Sequence, residues 1–463
     1  RGAWRLETGY SLFAQKLGVM QSAQMGNEQL LQERIRLGQP VDFTPFSRHI
    51  DYPFQQITHH NVYFKAFFDH EKIGHFAFQS TFQQDNRREN RIRRLNHSDI
   101  PTVSLHLNSL QNSLVWNKGY QHWKSEAGAQ LLITDNTNER GTGVVPIIPN
   151  YTEVAFGLYA LQKYTADRWG MEAGVRFDGQ QTKADGYDWT GRRYGGKRDF
   201  ANFTYSLGGH YHINKQLKLT SHFGVAWRAP HVYELYSNGN ELSSGIFVKG
   251  DSTLLSEQSY KWITSLKYTS KYFDVQLDGY LQWINNYIFD QPTGRNITVV
   301  SGAYPVFQYR QTRAFFQGVD LDAHVRPVSS LDYHLVTAMI WAREMPSHAY
   351  LPYIPSFRLT HSLTWSLPFF KAFSPKLGLT HRFVAKQTRF NPATDLIANS
   401  PEAYHLMGFD VSFSVPMREG QSLRVGLMGD NILNREYKEY TNRSRYYAHD
   451  MGRDVRCMIT WNF

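Results

Sequence analysis

The sequence predicts an all-β fold, a transmembrane antiparallel β-barrel, and three observations predict it. The chain closes on an alternation of apolar and polar residues. It divides into about eighteen strand-length segments whose connections alternate between short and long. Aromatic residues make up 15% of its 463 positions, yet no apolar run reaches the about 18 residues that a membrane-spanning helix needs.

The closing segment carries the pattern most clearly. Val455, Cys457, Ile459, Trp461 and Phe463 form one row. Asp454, Arg456, Thr460 and Asn462 form the other, with Met458 as its one apolar member. Successive side chains of a strand point to opposite faces, so the two rows separate. In a membrane barrel the apolar row meets lipid, the polar row lines the lumen, and aromatics such as Trp461 and Phe463 sit at the interface. An edge strand of a soluble sandwich is the plain alternative. Cys457 is the only cysteine, which excludes an intrachain disulfide and a cysteine-based metal site.

Taken in order, the strand-like segments fall near 4–17, 57–70, 73–85, 102–116, 121–134, 151–165, 168–182, 200–213, 216–228, 257–269, 272–289, 305–326, 331–343, 356–367, 376–390, 403–415, 421–430 and 453–463. Short turns follow the even strands, as in Asp69-His70-Glu71-Lys72, Ala166-Asp167-Arg168, Asn214-Lys215 and Ser270-Lys271. Longer segments follow the odd ones, notably 18–56, 86–101, 135–150, 183–199, 229–256 and 431–452. Outer-membrane barrels combine short periplasmic turns with long outer loops. A β-propeller would show a blade-length repeat, and there is none. The two faces recur inside the chain: Phe203, Tyr205, Leu207 and Tyr211 alternate with Thr204, Ser206, His210 and His212. The hairpin of 203–213 and 216–228 is therefore expected to turn Phe203, Tyr205, Leu207, Phe223 and Val225 outward. A negative mean hydropathy is compatible with this, because only alternate residues are apolar.

Formal net charge is +10. Arg87, Arg88, Arg91, Arg93 and Arg94 fall in one expected outer loop, and Arg192, Arg193, Lys197 and Arg198 in another. Such clusters attract anions, either an anionic ligand or the phosphates of lipopolysaccharide around a barrel. Basic and aromatic residues are not interleaved as in a stacking platform, which argues against nucleic acid.

Longer motifs point to a family. Trp227-Arg228-Ala229-Pro230, followed by Glu234-Leu235-Tyr236-Ser237-Asn238-Gly239, resembles the aromatic-Arg-Ala-Pro and Glu-Leu-Tyr box of TonB-dependent outer-membrane receptors. Their second box, Gly-Asn-Pro-x-Leu-x-x-Glu, is similar to Gly250-Asp251-Ser252-Thr253-Leu254-Leu255-Ser256-Glu257, with Asp251-Ser252 in place of Asn-Pro. Gln317-Gly318-Val319-Asp320-Leu321 resembles a mid-barrel strand of the family. Asp430-Asn431-Ile432-Leu433-Asn434-Arg435-Glu436-Tyr437, then Asn442-Arg443-Ser444-Arg445-Tyr446-Tyr447 and Phe463, resembles its last hairpin.

The resemblance implies a barrel of about 22 strands filled by an N-terminal plug. Residues 1–463 would then be barrel domain, with the plug, the TonB box and about four initial strands lying upstream. Arg1-Gly2 leads directly into strand-like sequence, with no secretion signal ahead of it. The implied function is uptake of a scarce nutrient across the outer membrane of a Gram-negative bacterium. A ferric siderophore or similar iron chelate is the expected cargo. The implied partners are outer-membrane lipid and lipopolysaccharide, the small-molecule ligand, and TonB through the upstream region.

Ligand contacts are expected from Arg228, His231, Tyr233, Glu234, Tyr236 and Glu241, in and near the box-bearing loop, although packing of that loop is the plainer role for the boxes. His210, His212 and His222 share one face of a hairpin and are the candidate metal ligands, since imidazole suits zinc or iron. Zinc or haem is thus an alternative cargo rather than a resident cofactor. Haem receptors of this kind usually carry a histidine between the boxes, and 240–249 contains none. Serving as polar lumen or loop residues is the plainer role for these histidines. A passive porin or an adhesion barrel is the alternative of another class. No His-Glu-x-x-His, phosphate-binding glycine loop or Gly-x-Ser-x-Gly elbow is present, so no enzyme is predicted.

Overall fold

Among the described residues, twenty strands in one sheet account for most of the computed structural model. The structure describes residues 3–20, 26–40, 47–188, 190–241, 244–367, 373–417 and 420–462. Eighteen of the strands are the long ones that the sequence predicts. The other two, Asn238–Glu241 and Ile246–Lys249, are short additions inside the 229–256 loop. The chain divides into two compact units: Arg1–Gly209 with Phe223–Tyr260 and Ile284–Arg313, and His210–His222 with Lys261–Trp283 and Ala314–Phe463.

The first unit opens with β1 Ala3–Gly18, β2 Phe54–His70, β3 Gly74–Asn90, β4 Val103–Tyr120, β5 Trp123–Asn138, β6 Asn150–Thr165 and β7 Trp169–Tyr187. Each pairs antiparallel with the next. Strands β8 Arg193–His212, β9 Leu217–Arg228, β12 Glu257–Thr269, β13 Phe273–Val299 and β14 Gly302–Val328 contribute residues to both units. The short β10 Asn238–Glu241 and β11 Ile246–Lys249 pair antiparallel, and β11 adds a parallel contact to β14. The second unit continues with β15 Leu331–Glu344, β16 Arg358–Ser366, β17 Lys376–Val384, β18 Tyr404–Pro416, β19 Ser422–Asp430 and β20 Asp454–Asn462, again as consecutive antiparallel ladders. Helix α1 covers Glu28–Leu37, capped by the Asn27 side chain and ended by Gly38 in the left-handed region. Helix α2 covers Val232–Tyr236.

Each sheet face has its own chemistry. On β6 and β7, Val154, Phe156, Leu158, Val175 and Phe177 are exposed in one apolar row, and the Phe156 and Phe177 rings lie 6.0 Å apart. The opposite row is hydrogen-bonded: the Tyr159 hydroxyl donates to Glu126 at 3.1 Å, and Arg176 donates to Gln130 at 3.0 Å and to Asp178 at 2.8 Å. A soluble sandwich would bury the apolar row, because exposed apolar surface on this scale is unfavourable in water. Burial is instead concentrated beneath the loops. Tyr151, Ala184, Val232, Leu235, Tyr236, Leu254 and Ile288 form one such core.

Several expectations change. The 183–199 loop shrinks to 188–192, because β7 and β8 run on as a ladder. The 290–304 connection also becomes strand, at the ends of β13 and β14. Both extensions lack strict apolar alternation, which a strand needs only where one face meets an apolar medium. Val225 is buried rather than outward, while Phe203, Tyr205 and Leu207 are exposed as expected. Phe223 keeps its place beside Tyr205, with ring centroids 6.3 Å apart. Two residues beyond Val225, the Trp227 indole donates to Asp178 at 3.1 Å, so the row leaves the apolar face near its end.

Candidate ligand-binding site

Pro230 cannot extend the β9 ladder, and the chain turns into α2 directly after it. His231 is the N-cap. Its Nδ1 accepts the Tyr233 N–H at 3.1 Å, and the Glu234 carboxylate reaches back to accept the His231 N–H at 2.8 Å. This is a capping box with histidine in the usual Ser/Thr place. Because Nδ1 accepts, a neutral His231 carries its proton on Nε2.

The same carboxylate holds Arg228. Nη1 donates to Glu234 Oε2 at 2.7 Å and Nη2 to Oε1 at 3.0 Å, a bidentate pair. Arg228 Nε donates to Glu257, and the other Glu257 oxygen accepts the Ile288 N–H. The first box thus meets the last residue of the second box in one ion cluster. Both carboxylates are largely buried, while Arg228 is 42% exposed.

The rest of the second box docks on α2. The Gly250 N–H donates to the Ser237 carbonyl at 2.7 Å and the Asp251 N–H to the Glu234 carbonyl at 2.9 Å. Leu254 is buried against Val232, Leu235 and Tyr236. Asp251, which departs from the family pattern, accepts the Thr253 N–H at 2.9 Å and stabilises the turn itself. Glu234→Gln keeps the shape but removes the charge. It is expected to destabilise the α2 loop by about 1–2 kcal/mol. Faster amide exchange over 231–237 would register this, and unchanged exchange would show the pair to be dispensable.

The six candidate ligand residues therefore separate. Arg228, Glu234 and Tyr236 hold the loop together. His231 borders a cavity of about 740 Å³ shared with Gln130, Glu153, Arg176, Asp178 and Trp227. Its ring meets Tyr151 edge-on at 6.2 Å. Tyr233 and Glu241 line a smaller cavity of about 150 Å³ with Arg87, Glu89 and Glu139. Tyr233 packs edge-on to Tyr309 at 6.1 Å, and Glu241 accepts the Ser244 hydroxyl at 2.6 Å. Hydrogen bonds from Ser104 and His106 hold the Glu139 carboxyl below its ordinary range, so it is anionic at neutral pH.

The candidate metal ligands do not converge. His210 and His212 meet edge-on at 5.4 Å, and with His222 their nitrogens do not gather around one point among the described residues. Trp461 is exposed on β20 opposite Leu423 of β19, and Phe463 lies outside the described residues.

The basic clusters are largely occupied. Arg87 is bonded to Glu89, and Arg93 donates to the Thr142 carbonyl at 2.6 Å. Arg88 lies 3.6 Å from Glu139. Arg193 pairs with Asp185 at 2.6 Å, Arg192 with Asp188 at 3.4 Å and Lys197 with Asp199 at 3.3 Å. Arg198 donates to the Ser252 carbonyl and, at 2.7 Å, to that of Leu254, clamping the second box. Arg87 and Arg88 lie on β3, and the second cluster lies mostly on β8, rather than in loops. Glu257, the second anchor of Arg228, is not among the ligand candidates that the sequence suggests, although it closes the second box.

The description "TonB dependent receptor-like, beta-barrel" matches residues 16–432. The chain belongs to the TonB-dependent receptor β-barrel family. Members are transporters of the Gram-negative outer membrane rather than enzymes. A similar curated protein is the TonB-dependent heme receptor A of Haemophilus influenzae (strain 86-028NP), 22% identical over 356 residues, 68% of this chain and 46% of that protein. The chain thus spans about half the length of that relative. The copper transporter OprC superposes with a TM-score of 0.70 at 13% identity, covering 86% of this chain and 65% of that one. The FrpB iron transporter of Neisseria meningitidis (F5-1 variant) gives 0.69 at 13% identity, covering 98% and 70%. The ferric-catecholate import receptor Fiu of E. coli K12 gives 0.68 at 13% identity, covering 99% and 72%. No helix among the described residues is long and apolar enough to cross a membrane, which says nothing about β-barrels, since those cross with strands.

Proposed function

We propose that this chain is the barrel portion of an outer-membrane receptor that imports a ferric siderophore or a similar iron chelate. The observation that carries the reading is the family match over 16–432 together with structural relatives named for iron and ferric-catecholate import. In this reading the plug, the TonB box and the first strands lie upstream, and TonB drives uptake through them. Lipid and lipopolysaccharide surround the apolar row. A net charge of +10 favours an anionic chelate at long range, and a cavity of about 740 Å³ beside His231 is of the size that holds a small ligand.

Haem is the second reading, favoured by the haem receptor relative. His231 is then the residue placed to contact it, although its Nδ1 is taken by the cap. The two readings differ in cargo and share the route.

The test expresses the intact receptor in a Gram-negative strain lacking its own iron receptors. Radiolabelled iron uptake is measured with a catecholate, a hydroxamate and haem in turn. Uptake of one ferric chelate that stops when TonB is deleted is the expected result. Uptake of haem alone moves the assignment to the second reading, and TonB-independent leakage of all three identifies a passive pore. Replacing His231, Tyr233 and Glu241 together by Ala is expected to weaken uptake at least about tenfold with surface abundance unchanged, because polar groups lining a cavity fix ligand orientation and these three line the two cavities beside the box-bearing loop. Wild-type affinity in that variant would leave these residues with structural roles only.

A further inference from the structure

The hairpin of β14 and β15 holds a cluster that the cargo reading does not use. Asp322-Ala323-His324 on β14 and Asp332-Tyr333-His334 on β15 repeat the same spacing on either side of a short turn. The ladder sets His324 directly opposite His334. Period two puts all four polar residues on one face, and Ala323 and Tyr333 on the other.

On that face the imidazoles stack, with centroids 3.9 Å apart and planes 6° from parallel. His324 Nδ1 lies 2.9 Å from an Asp332 oxygen. A neutral His324 then carries its proton on Nδ1 and offers Nε2 as a lone pair. His334 Nε2 lies 3.0 Å from Asp322 Oδ1, and His324 Nε2 lies 4.0 Å from the same oxygen. The three donor atoms all fall within 4.8 Å of one another. A tetrahedral zinc site needs its ligand atoms about 3.3 Å apart, given metal–ligand distances near 2.0 Å. Closing the set needs the 4.0 Å His324–Asp322 separation to shorten and the stacked rings to swing apart so that both lone pairs aim at one point. Asp332 is also bound to Arg326, whose Nε donates to it at 3.0 Å, so the orienting carboxylate is itself held. A histidine ligand fixed by a carboxylate on its other nitrogen is the usual outer shell of a metal site.

We propose that Asp322, His324 and His334 bind a divalent cation of the zinc class, with Asp332 as the positioning residue for His324. Two imidazole nitrogens and one carboxylate oxygen suit zinc, nickel or copper(II). They do not suit copper(I), which prefers thiolate and thioether ligands. The side chains of Asp322 and the two histidines are all partly open to solvent, so water or a passing ligand completes the coordination. The site is independent of which nutrient the receptor imports.

The test uses the full chain, refolded in detergent and checked for intact fold by its heat-modifiable mobility on gels. Zinc is titrated calorimetrically, and Co(II) replaces it for visible spectroscopy. The wild type is expected to bind one zinc more tightly than its background sites, with a tetrahedral or five-coordinate Co(II) spectrum. H324Q/H334Q is expected to lose that equivalent and that spectrum, while H210Q/H212Q keeps both. Asp332→Asn is expected to retain the site with about 10–100-fold weaker affinity. Asp322→Asn, which keeps the side-chain shape, carries the same test if the double variant fails to fold. An unchanged zinc count and Co(II) spectrum in H324Q/H334Q or Asp322→Asn would overturn the site. Undiminished affinity in Asp332→Asn would overturn the positioning role.

Discussion

Asp395→Ala is expected to loosen the two long loops of the second unit by about 3–5 kcal/mol while leaving the strands intact. Asp395 and Arg445 form an ion pair whose side chains are 3% and 1% exposed. Tyr446 donates its hydroxyl to Asp395 at 2.8 Å, and Arg445 Nε donates to the Tyr440 carbonyl at 3.0 Å. The guanidinium lies over the Tyr440 and Tyr446 rings, at 4.9 and 4.5 Å. Burial alone would lower the Arg445 pKa, but Tyr446 and Asp395 outweigh it and the net shift is upward. The group is therefore charged at any physiological pH, and removing Asp395 strands a buried cation. Amide exchange over 385–403 and 431–453 should accelerate, with β15 to β19 unchanged. The paired replacement Asp395→Leu with Arg445→Met should recover most of the loss, because a well-packed apolar pair avoids the desolvation cost. Normal protection in Asp395→Ala would mean that water reaches the pair and that burial does not set its worth.

Gly250→Val is expected to undock α2 from the second box, at a cost of about 3 kcal/mol or more. A Cβ at this position would stand 2.6 Å from the Leu235 carbonyl carbon and 2.6 Å from the Tyr236 nitrogen. Both obstacles are backbone, so no rotamer change relieves the contact. The Gly250 and Asp251 hydrogen bonds to α2 would be lost together, and Leu254 would leave its core. Limited proteolysis should cut 229–256 much faster than in the wild type. Gly279→Ala is the control, since a Cβ there meets nothing within 4 Å. A protease-resistant loop in Gly250→Val would mean that the backbone shifts without releasing α2.

These two sites show why the family boxes are recognisable. Arg228, Glu234 and Glu257 are legible in the sequence as members of a motif that can serve either ligand binding or loop packing, with packing the plainer role. Their bonds to one another fasten the 229–256 loop. The tail motif behaves alike: Arg445 and Tyr446 are buried against Asp395, about fifty residues earlier in the chain. The Asp-x-His spacing at 322–324 and 332–334 was also present in the sequence. It is visible as two short repeats, but only the ladder register makes them one cluster.

The sequence by itself determined the fold class, the strand count apart from two short loop strands, and the faces of most strands. It could do so because a strand between lipid and a polar interior must alternate with a period of two, and that rule leaves a mark on every residue. Strand ends beyond the apolar zone carry no such mark, which is why β7, β8, β13 and β14 ran longer than expected. Tertiary structure alone decided which charges are already paired. The basic clusters look open in sequence, yet Arg93, Arg193 and Arg198 each have a partner that the fold brings to them, while Arg87 binds Glu89 along its own strand. It also decided that His210, His212 and His222 do not converge whereas Asp322, His324 and His334 do. Residue type sets what a side chain can bind, but convergence depends on register and rotamer across strands, and no local sequence rule encodes those.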